Sequence, residues 1–276
     1  MKKSNKRMNI FSLILMIIAS VYTIFPIYVA FLNSFKTQGE MYQSVLAWPQ
    51  QFTLDNYIDA FIRIEFVKSF LNTLVVTGAG VFGIVAVSSL AGYKLSRTKT
   101  KLSNALYLFF IFSMLVPFSA VMISITREIT AMGLSGTKTG LILTYIGFGC
   151  SQAIFLYHGF VKGVPRDLDE AAMIDGCGQF RTFTQVIFPC LKPITATITI
   201  LNVLWLWNDF LLPLVLISKQ KNYTLVLSTN MFFGKYNNEW SNIMAGLILT
   251  VIPVIIFYAI FQKHIMEGIV SGAIKG

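Results

Sequence analysis

Charge is scarce in this sequence. Asp, Glu, Lys and Arg make up 12% of its 276 residues, against about 25% in soluble domains. So few charges cannot cover a soluble globule, and the apolar content excludes intrinsic disorder. The only histidines are His158 and His264, both at the ends of apolar runs, where an interfacial or capping role competes with catalysis. Cysteine is limited to Cys150, Cys177 and Cys190. An odd number without C-x-x-C spacing argues against a disulfide framework and against a zinc site. No G-x-x-x-x-G-K-[ST] phosphate loop is present; Gly136-Thr137-Lys138-Thr139 lacks the preceding glycine. No acyl-transfer constellation, internal repeat or low-complexity tract occurs. The chain is therefore expected to be no enzyme, with no catalytic residue, bound cofactor or metal of its own.

What is abundant is apolar surface. The set AVILMFWYC reaches 55%, with 24 Phe. A helix needs about 20 apolar residues to cross a bilayer core, and six segments qualify: 10–33, 69–92, 104–126, 140–160, 194–217 and 243–262. Their polarity does not alternate, which excludes barrel strands. The first run, Met8–Phe35, is uncharged for 28 residues, too long for a signal-peptide core of roughly 7–15, and reads as an uncleaved span. Of the 22 Lys and Arg, 14 fall in the loops 1–7, 94–101, 162–192 and 263–275, and 8 in the alternate loops. The positive-inside rule makes the first set, and both termini, cytoplasmic. The net charge of +10 is thus spread over loops as a topology signal, and nucleic acid is not an expected partner; membrane lipid is.

Pro26, Pro117, Pro213 and Pro253 lie within apolar segments and are expected to bend helices. Small residues four apart, at Ala79 and Gly83, Ser88 and Gly92, Gly147 and Ser151, suit close helix packing or a narrow pathway. Three parts follow: 1–66 with the first span and an outer loop, 67–263 as the membrane core, and 264–276 as a cytoplasmic tail. The outer loop 36–68, with Trp48-Pro49 and an amphipathic stretch to Phe66, caps the core or meets an external partner.

The loop 163–193 carries the most information. Pro165 suits a first helical position, and Asp167, Asp169 and Glu170 suit the positive end of the helix dipole. Gly176 is a natural stop. A second helix is expected from about Gln179 to Val186, ended by Pro189 and Pro193. Leu168, Ala172, Ile174, Phe180, Phe183 and Ile187 cannot all be hidden within two short helices. Part of that surface should meet the chain's own spans, the membrane, or a partner's groove.

Glu170-Ala171-Ala172, then Asp175-Gly176, then Val186-x-Phe188-Pro189 resembles the EAA loop of permease subunits in binding-protein-dependent ABC importers. Val186 and Phe188 replace the family's usual Ile and Leu. Trp207-Asn208-Asp209-Phe210, with Pro213 following, looks like the WND segment of sugar-importing members. The end, Gly268 to Gly272-Ala273-Ile274-Lys275-Gly276, is similar to their tail, and Asn56-Tyr57 and Asn72-Thr73 are weaker matches. The chain is similar to the second permease of the maltose/glycerol-phosphate type of carbohydrate importer. The resemblance implies an all-α polytopic membrane protein with a five-span core, spans 2–6. It implies a coupling surface at Glu170, Ala171, Ala172, Asp175, Gly176, Phe180, Phe183 and Pro189, seated on a cytoplasmic ATP-binding subunit present in two copies and carrying ATP and Mg. It also implies a second homologous permease subunit, an extracytoplasmic sugar-binding protein, a tail contact at Lys275 and Gly276, and residence in a bacterial or archaeal cytoplasmic membrane.

Asp209 is the only acid in an apolar segment. A carboxylate there costs about 2.5–3.5 kcal/mol on insertion scales and needs a partner or water. It lines the translocation path, or makes a buried hydrogen bond. Gln152, Asn202 and Asn208 can bond sugar hydroxyls and Trp205 can stack on a sugar ring, or they glue helices and anchor interfaces. Two rivals stand beside the importer reading. An ion-coupled secondary transporter predicts several intramembrane charges and two similar halves. A membrane scaffold or receptor leaves the 163–193 loop free for any cytosolic partner.

Overall fold

Long apolar runs favour helices even where β-branched residues cluster, as in Ile194–Ile200, since in lipid every backbone group must find its partner within the segment. A computed structural model describes residues 10–233 and 239–273, with the side chains of 261 and 263–273 outside the description. The helices are α1 (Ile10–Asn33), α2 (Gln38–Gln43), α3 (Asp55–Arg63), α4 (Phe66–Arg97), α5 (Lys101–Ser113), α6 (Phe118–Ala131), α7 (Lys138–Val161), α8 (Asp167–Ile174), α9 (Gln179–Arg181), α10 (Phe188–Cys190), α11 (Lys192–Asn208), α12 (Leu211–Leu216), α13 (Leu225–Ser228) and α14 (Trp240–Ala273). No strand forms among the described residues. Four helices are long and apolar enough to cross a membrane, and two bent pairs raise the count to as many as six. Ile10, Phe82 and Ile123 are about three-quarters exposed or more, so the surrounding medium must be apolar. The protein is an all-α polytopic membrane protein.

Packing divides the chain into two units: one is the chain up to Phe66 with Thr229–Ile252, the other Val67–Ser228 with the chain from Pro253. In the first unit the loop after α1 folds on itself. Lys36 is buried and its ammonium donates to the carbonyls of Ser44 (2.9 Å) and Val45 (3.1 Å). Asn56 donates to the carbonyls of Ser34 and Lys36, both at 2.8 Å. Thr37 and Glu40 form a capping box on α2. Arg63 pairs with Glu239 at 2.6 Å and donates to the Met231 carbonyl.

In the second unit α4 and α7 run parallel. At their starts, Lys138 donates to the Asn72 side chain (3.0 Å), which donates to the carbonyls of Lys221 and Tyr223. At their ends, Arg97 donates to the carbonyl of Val161. α11 returns antiparallel to α7, tied at one end by Tyr157 to Thr195 (2.9 Å) and at the other by Tyr145 to Asp209 (2.8 Å). The buried face of α4 steps through Asn72, Val76, Gly80, Ile84, Ser88 and Gly92, of which Gly80, Ser88 and Gly92 are small enough for close approach. A methyl on Gly83 would collide with the Ile146 side chain, and one on Gly92 with Tyr157 Cβ at 2.6 Å. Gly147 faces open space, so the close-packing expectation fails at that position; its companion Ser151 is buried and bonds Ser113 at 2.7 Å.

Three expectations need correcting. The third span is not one helix: α5 and α6 meet at 106°. Pro117 has no N–H to donate and pushes Val116 away from helical geometry. α5 has 13 residues and rises about 20 Å, short of a core of roughly 30 Å. The fifth span stops at Asn208, because Asp209 adopts extended geometry (ψ 131°). Pro189 does not end the second loop helix. The chain passes through a π-helical turn, Thr182–Ile187, in which the Phe188 N–H reaches the Phe183 carbonyl, and Pro189 sits at the start of α10. The break comes at Leu191, where the direction turns by 78°. Pro26 and Pro253 are carried inside α1 and α14 without a break.

Candidate functional site

The loop after α7 builds a short helix with two different faces. α8 starts at Asp167, two residues after Pro165, with no side-chain cap. Its first turn carries Asp167, Asp169 and Glu170, favourable at the positive end of the dipole. Its end is a Schellman motif. The Cys177 N–H reaches the Ala172 carbonyl at 2.9 Å and the Gly176 N–H that of Met173 at 3.0 Å. Gly176 has φ +78°, a region closed to most side chains. Asp175 is the C-cap residue, exposed to the surround.

The inner face is Asp169 and Ala172, three residues apart and both buried. Asp169 forms an ion pair with Arg97 at 2.8 Å, the two side chains being 9% and 13% exposed, and accepts the Tyr93 hydroxyl at 2.5 Å. The outer face is Glu170, Ala171, Met173 and Ile174, followed by Phe180 beyond the glycine turn; Ile174 is 86% and Phe180 72% exposed. Phe183 turns inward, its ring 5.3 Å from Tyr93 and 5.8 Å from Phe188. Of the sequence-derived coupling residues, Glu170, Ala171, Asp175, Gly176, Phe180 and Pro189 are therefore exposed, while Ala172 and Phe183 pack within the chain. A groove of about 360 Å³, lined by Tyr93, Lys94, Arg97, Arg166, Glu170 and Met173, runs beside α8. Arg97 and Tyr93 were not apparent as site residues in sequence. Their four-residue spacing at the end of α4, and the three-residue spacing of Asp169 and Ala172, are the signals that could have revealed them.

The polar residues of the membrane segments separate likewise. Asp209 finds two partners: one oxygen accepts from Tyr145, the other from the Leu211 N–H at 3.2 Å, which starts α12. The Tyr145 ring meets Trp205 edge-on at 5.6 Å. Trp205 and Asn208 lie on the open side of α11, and Asn208 bonds back to the Leu204 carbonyl. Gln152 is exposed two turns along α7 from Tyr145. Asn202 is buried against α7 and donates to the Ile198 carbonyl at 2.8 Å; its oxygen lies 3.1 Å from where a Gly149 Cβ would be, so it faces a helix contact and no open path. The cluster offers neutral amides and an indole face, and no His, Cys, Asp and Glu group able to hold a metal occurs among the described residues. Lys275 and Gly276 lie outside the described residues.

Residues 83–270 match the family described as binding-protein-dependent transport system inner membrane component. The chain belongs to this family. It is 41% identical over 94% of its length to the Probable starch degradation products transport system permease protein AmyC of Thermoanaerobacterium thermosulfurigenes, covering 94% of that protein. It is 36% identical to the Multiple sugar-binding transport system permease protein MsmG of Streptococcus mutans, over 100% of both chains. A solved chain of a bacterial ABC transporter involved in the import of the acidic polysaccharide alginate superposes with a TM-score of 0.79 over 95% of this chain and 98% of that one. At 24% identity that likeness speaks for the fold. Family membership makes the chain a transport permease and sets aside the scaffold and secondary-transporter alternatives.

Proposed function

We propose that this permease is the membrane subunit of an ATP-driven importer that brings a di- or oligosaccharide into the cytoplasm. The observation that carries the coupling half of this reading is the two-faced α8. Its inner face is fixed by a buried ion pair, while Ile174 and Phe180 stay exposed on a segment rich in acids. An apolar surface of that kind, outside the spans, calls for a groove on a partner, and Glu170 and Asp175 give docking an orientation. The partner is a cytoplasmic ATP-binding subunit, in two copies, which holds ATP and Mg. Its closure favours one arrangement of the permease through differential contact with α8.

The rest of the assembly follows from the same reading. A second homologous permease completes the translocation path, and an external sugar-binding protein delivers substrate to the face opposite α8. Both termini are cytoplasmic, in agreement with the Lys and Arg distribution, and the tail residues Lys275 and Gly276 approach the ATP-binding subunit. Trp205, Asn208 and Gln152 supply an indole face and amides suited to a sugar's apolar ring and hydroxyl rim, with Asp209 held in place by Tyr145. The sugar is supported by relatives whose names specify starch degradation products and multiple sugars.

Co-expression with its neighbours and reconstitution into vesicles tests this. ATP hydrolysis should rise when binding protein loaded from a panel of maltose, maltotriose, melibiose and raffinose is added. Ion-dependent uptake by a complex with no ATP-hydrolysing subunit would contradict it.

A further inference from the structure

α8 is fastened by a specific set of bonds that a mere loop does not need. Arg97 stands in the last turn of α4 and holds three elements at once. It pairs with Asp169 of α8 at 2.8 Å. It donates to the carbonyls of Val161 (3.3 Å) and Val164 (3.0 Å), at and just beyond the end of α7, where a cation suits the negative end of the helix dipole. Arg166, at the start of α8, returns an N–H to the Arg97 carbonyl at 3.4 Å. One turn before Arg97, Tyr93 donates to the second oxygen of Asp169 and lays its ring on Phe183. Just above, α4 and α7 touch backbone to backbone: a Cβ on Gly92 would lie 3.1 Å from the His158 nitrogen and 3.3 Å from the Ile154 carbonyl oxygen.

Capping of α7 would be complete with Arg97 alone, and Asp169 adds nothing to it. A buried ion pair is a weak source of stability, because desolvation offsets its attraction. What it does enforce is register, since any slip of α8 along α4 leaves two buried charges without partners. We propose that Tyr93, Arg97 and Asp169 form a clamp that locks α8 to the ends of α4 and α7, so that displacement of α8 passes to both spans as one rigid body. The three are positioning residues. The proposal rests on α8 being the docking element for an ATP-binding subunit, and it adds which spans receive the stroke and through which atoms.

The test uses the intact complex, with Cys150, Cys177 and Cys190 replaced by serine and spin labels at Leu90 of α4 and Leu168 of α8, both exposed and neither on the outer face of α8. The distance between labels is compared without nucleotide and after trapping with ATP and vanadate. The clamp predicts the same narrow distance in both states. In Asp169→Asn, which keeps the shape and removes the charge, the distance should shift by about 3 Å or more on trapping, between a small interface shift and a one-turn slip. ATP hydrolysis without binding protein should rise about fivefold, within the range by which residues along a coupling path act. Tyr93→Phe keeps the ion pair and the ring contact, so it is the second variant that reads the clamp should Asp169→Asn fail to fold, and it should show the same change to a smaller degree. A purely structural role would lower the yield of complex and leave the trapped distance unmoved. A complex that traps nucleotide while the unmutated distance changes, or in which both variants keep the unmutated distance, overturns the clamp alone. A chain that associates with no ATP-hydrolysing subunit overturns the docking reading and the clamp with it.

Discussion

Gly92→Ala adds one methyl where α4 crosses α7. The new carbon would lie 2.6 Å from Tyr157 Cβ, 3.1 Å from the His158 nitrogen and 3.3 Å from the Ile154 carbonyl oxygen. Ordinary carbon contacts begin near 3.5 Å, so the helices must separate by nearly 1 Å, and two of the three obstacles are backbone that cannot rotate away. Overpacking of this kind costs about 1–3 kcal/mol. Tyr157 is fully buried and bonded to Thr195, which removes the easy relaxation and places the cost toward the upper end. Gly78→Ala is the control on the same helix, because nothing lies within 4 Å of its added carbon. There the better helix propensity of alanine adds roughly 0.5–1 kcal/mol of stability. Both variants gain that propensity, so it cancels between them, and they should differ by the overpacking cost alone, about 1–3 kcal/mol, in equilibrium unfolding of the purified protein in mixed micelles. Gly92→Ala unfolding at or above the midpoint of Gly78→Ala would refute the backbone-contact argument.

Further expectations come from other parts of the molecule. Gly176→Val places a β-branched side chain at φ +78°, costs about 1–2 kcal/mol, and should fray the end of α8 as read by hydrogen exchange at Gly176 and Cys177. Tyr145→Phe deprives one Asp209 oxygen of its partner. A loss of roughly 1–3 kcal/mol follows, measurable by the same unfolding assay, while Tyr223→Phe, half-buried elsewhere, should change little. Glu239 has its pKa held below the usual 4.5, first by the hydrogen bond from Arg63 and then by that from Asn242. Its contribution is complete above the ordinary carboxylate range and is lost as pH falls through the depressed value. An unfolding series from about pH 7 to about pH 3 should show a steeper acid loss in the unmutated protein than in Arg63→Gln.

Much of the membrane architecture was legible because hydropathy needs no tertiary information. Met8–Phe35 and the runs in α4, α7 and α14 announce themselves by length. The break between α5 and α6 was only half legible: Pro117 marks where a helix bends, but the 106° angle depends on what α6 packs against. The helix at Asp167–Ile174 followed from its acids and from Gly176. Its anchor did not, because Arg97 and Asp169 lie on opposite sides of two membrane segments in sequence, and only the four-residue spacing from Tyr93 distinguishes Arg97 from the other cations of its loop. Asp209 declared its need for a partner through its cost in lipid, yet Tyr145 as that partner required the antiparallel packing of α7 and α11. Pro189 signals a helix stop in the sequence, yet the second loop helix runs past it. A π-helical turn before it shifts the hydrogen bonds by one residue and lets the chain continue to Leu191.

A photoreactive residue at Ile174 or Phe180, in the intact complex within native membranes, tests the central claim directly. Both positions should cross-link to an ATP-binding subunit with and without nucleotide, and Ile187, buried on the inner side, should not. Cross-links from Ile174 and Phe180 confined to the chain's own helices or to lipid would contradict the account.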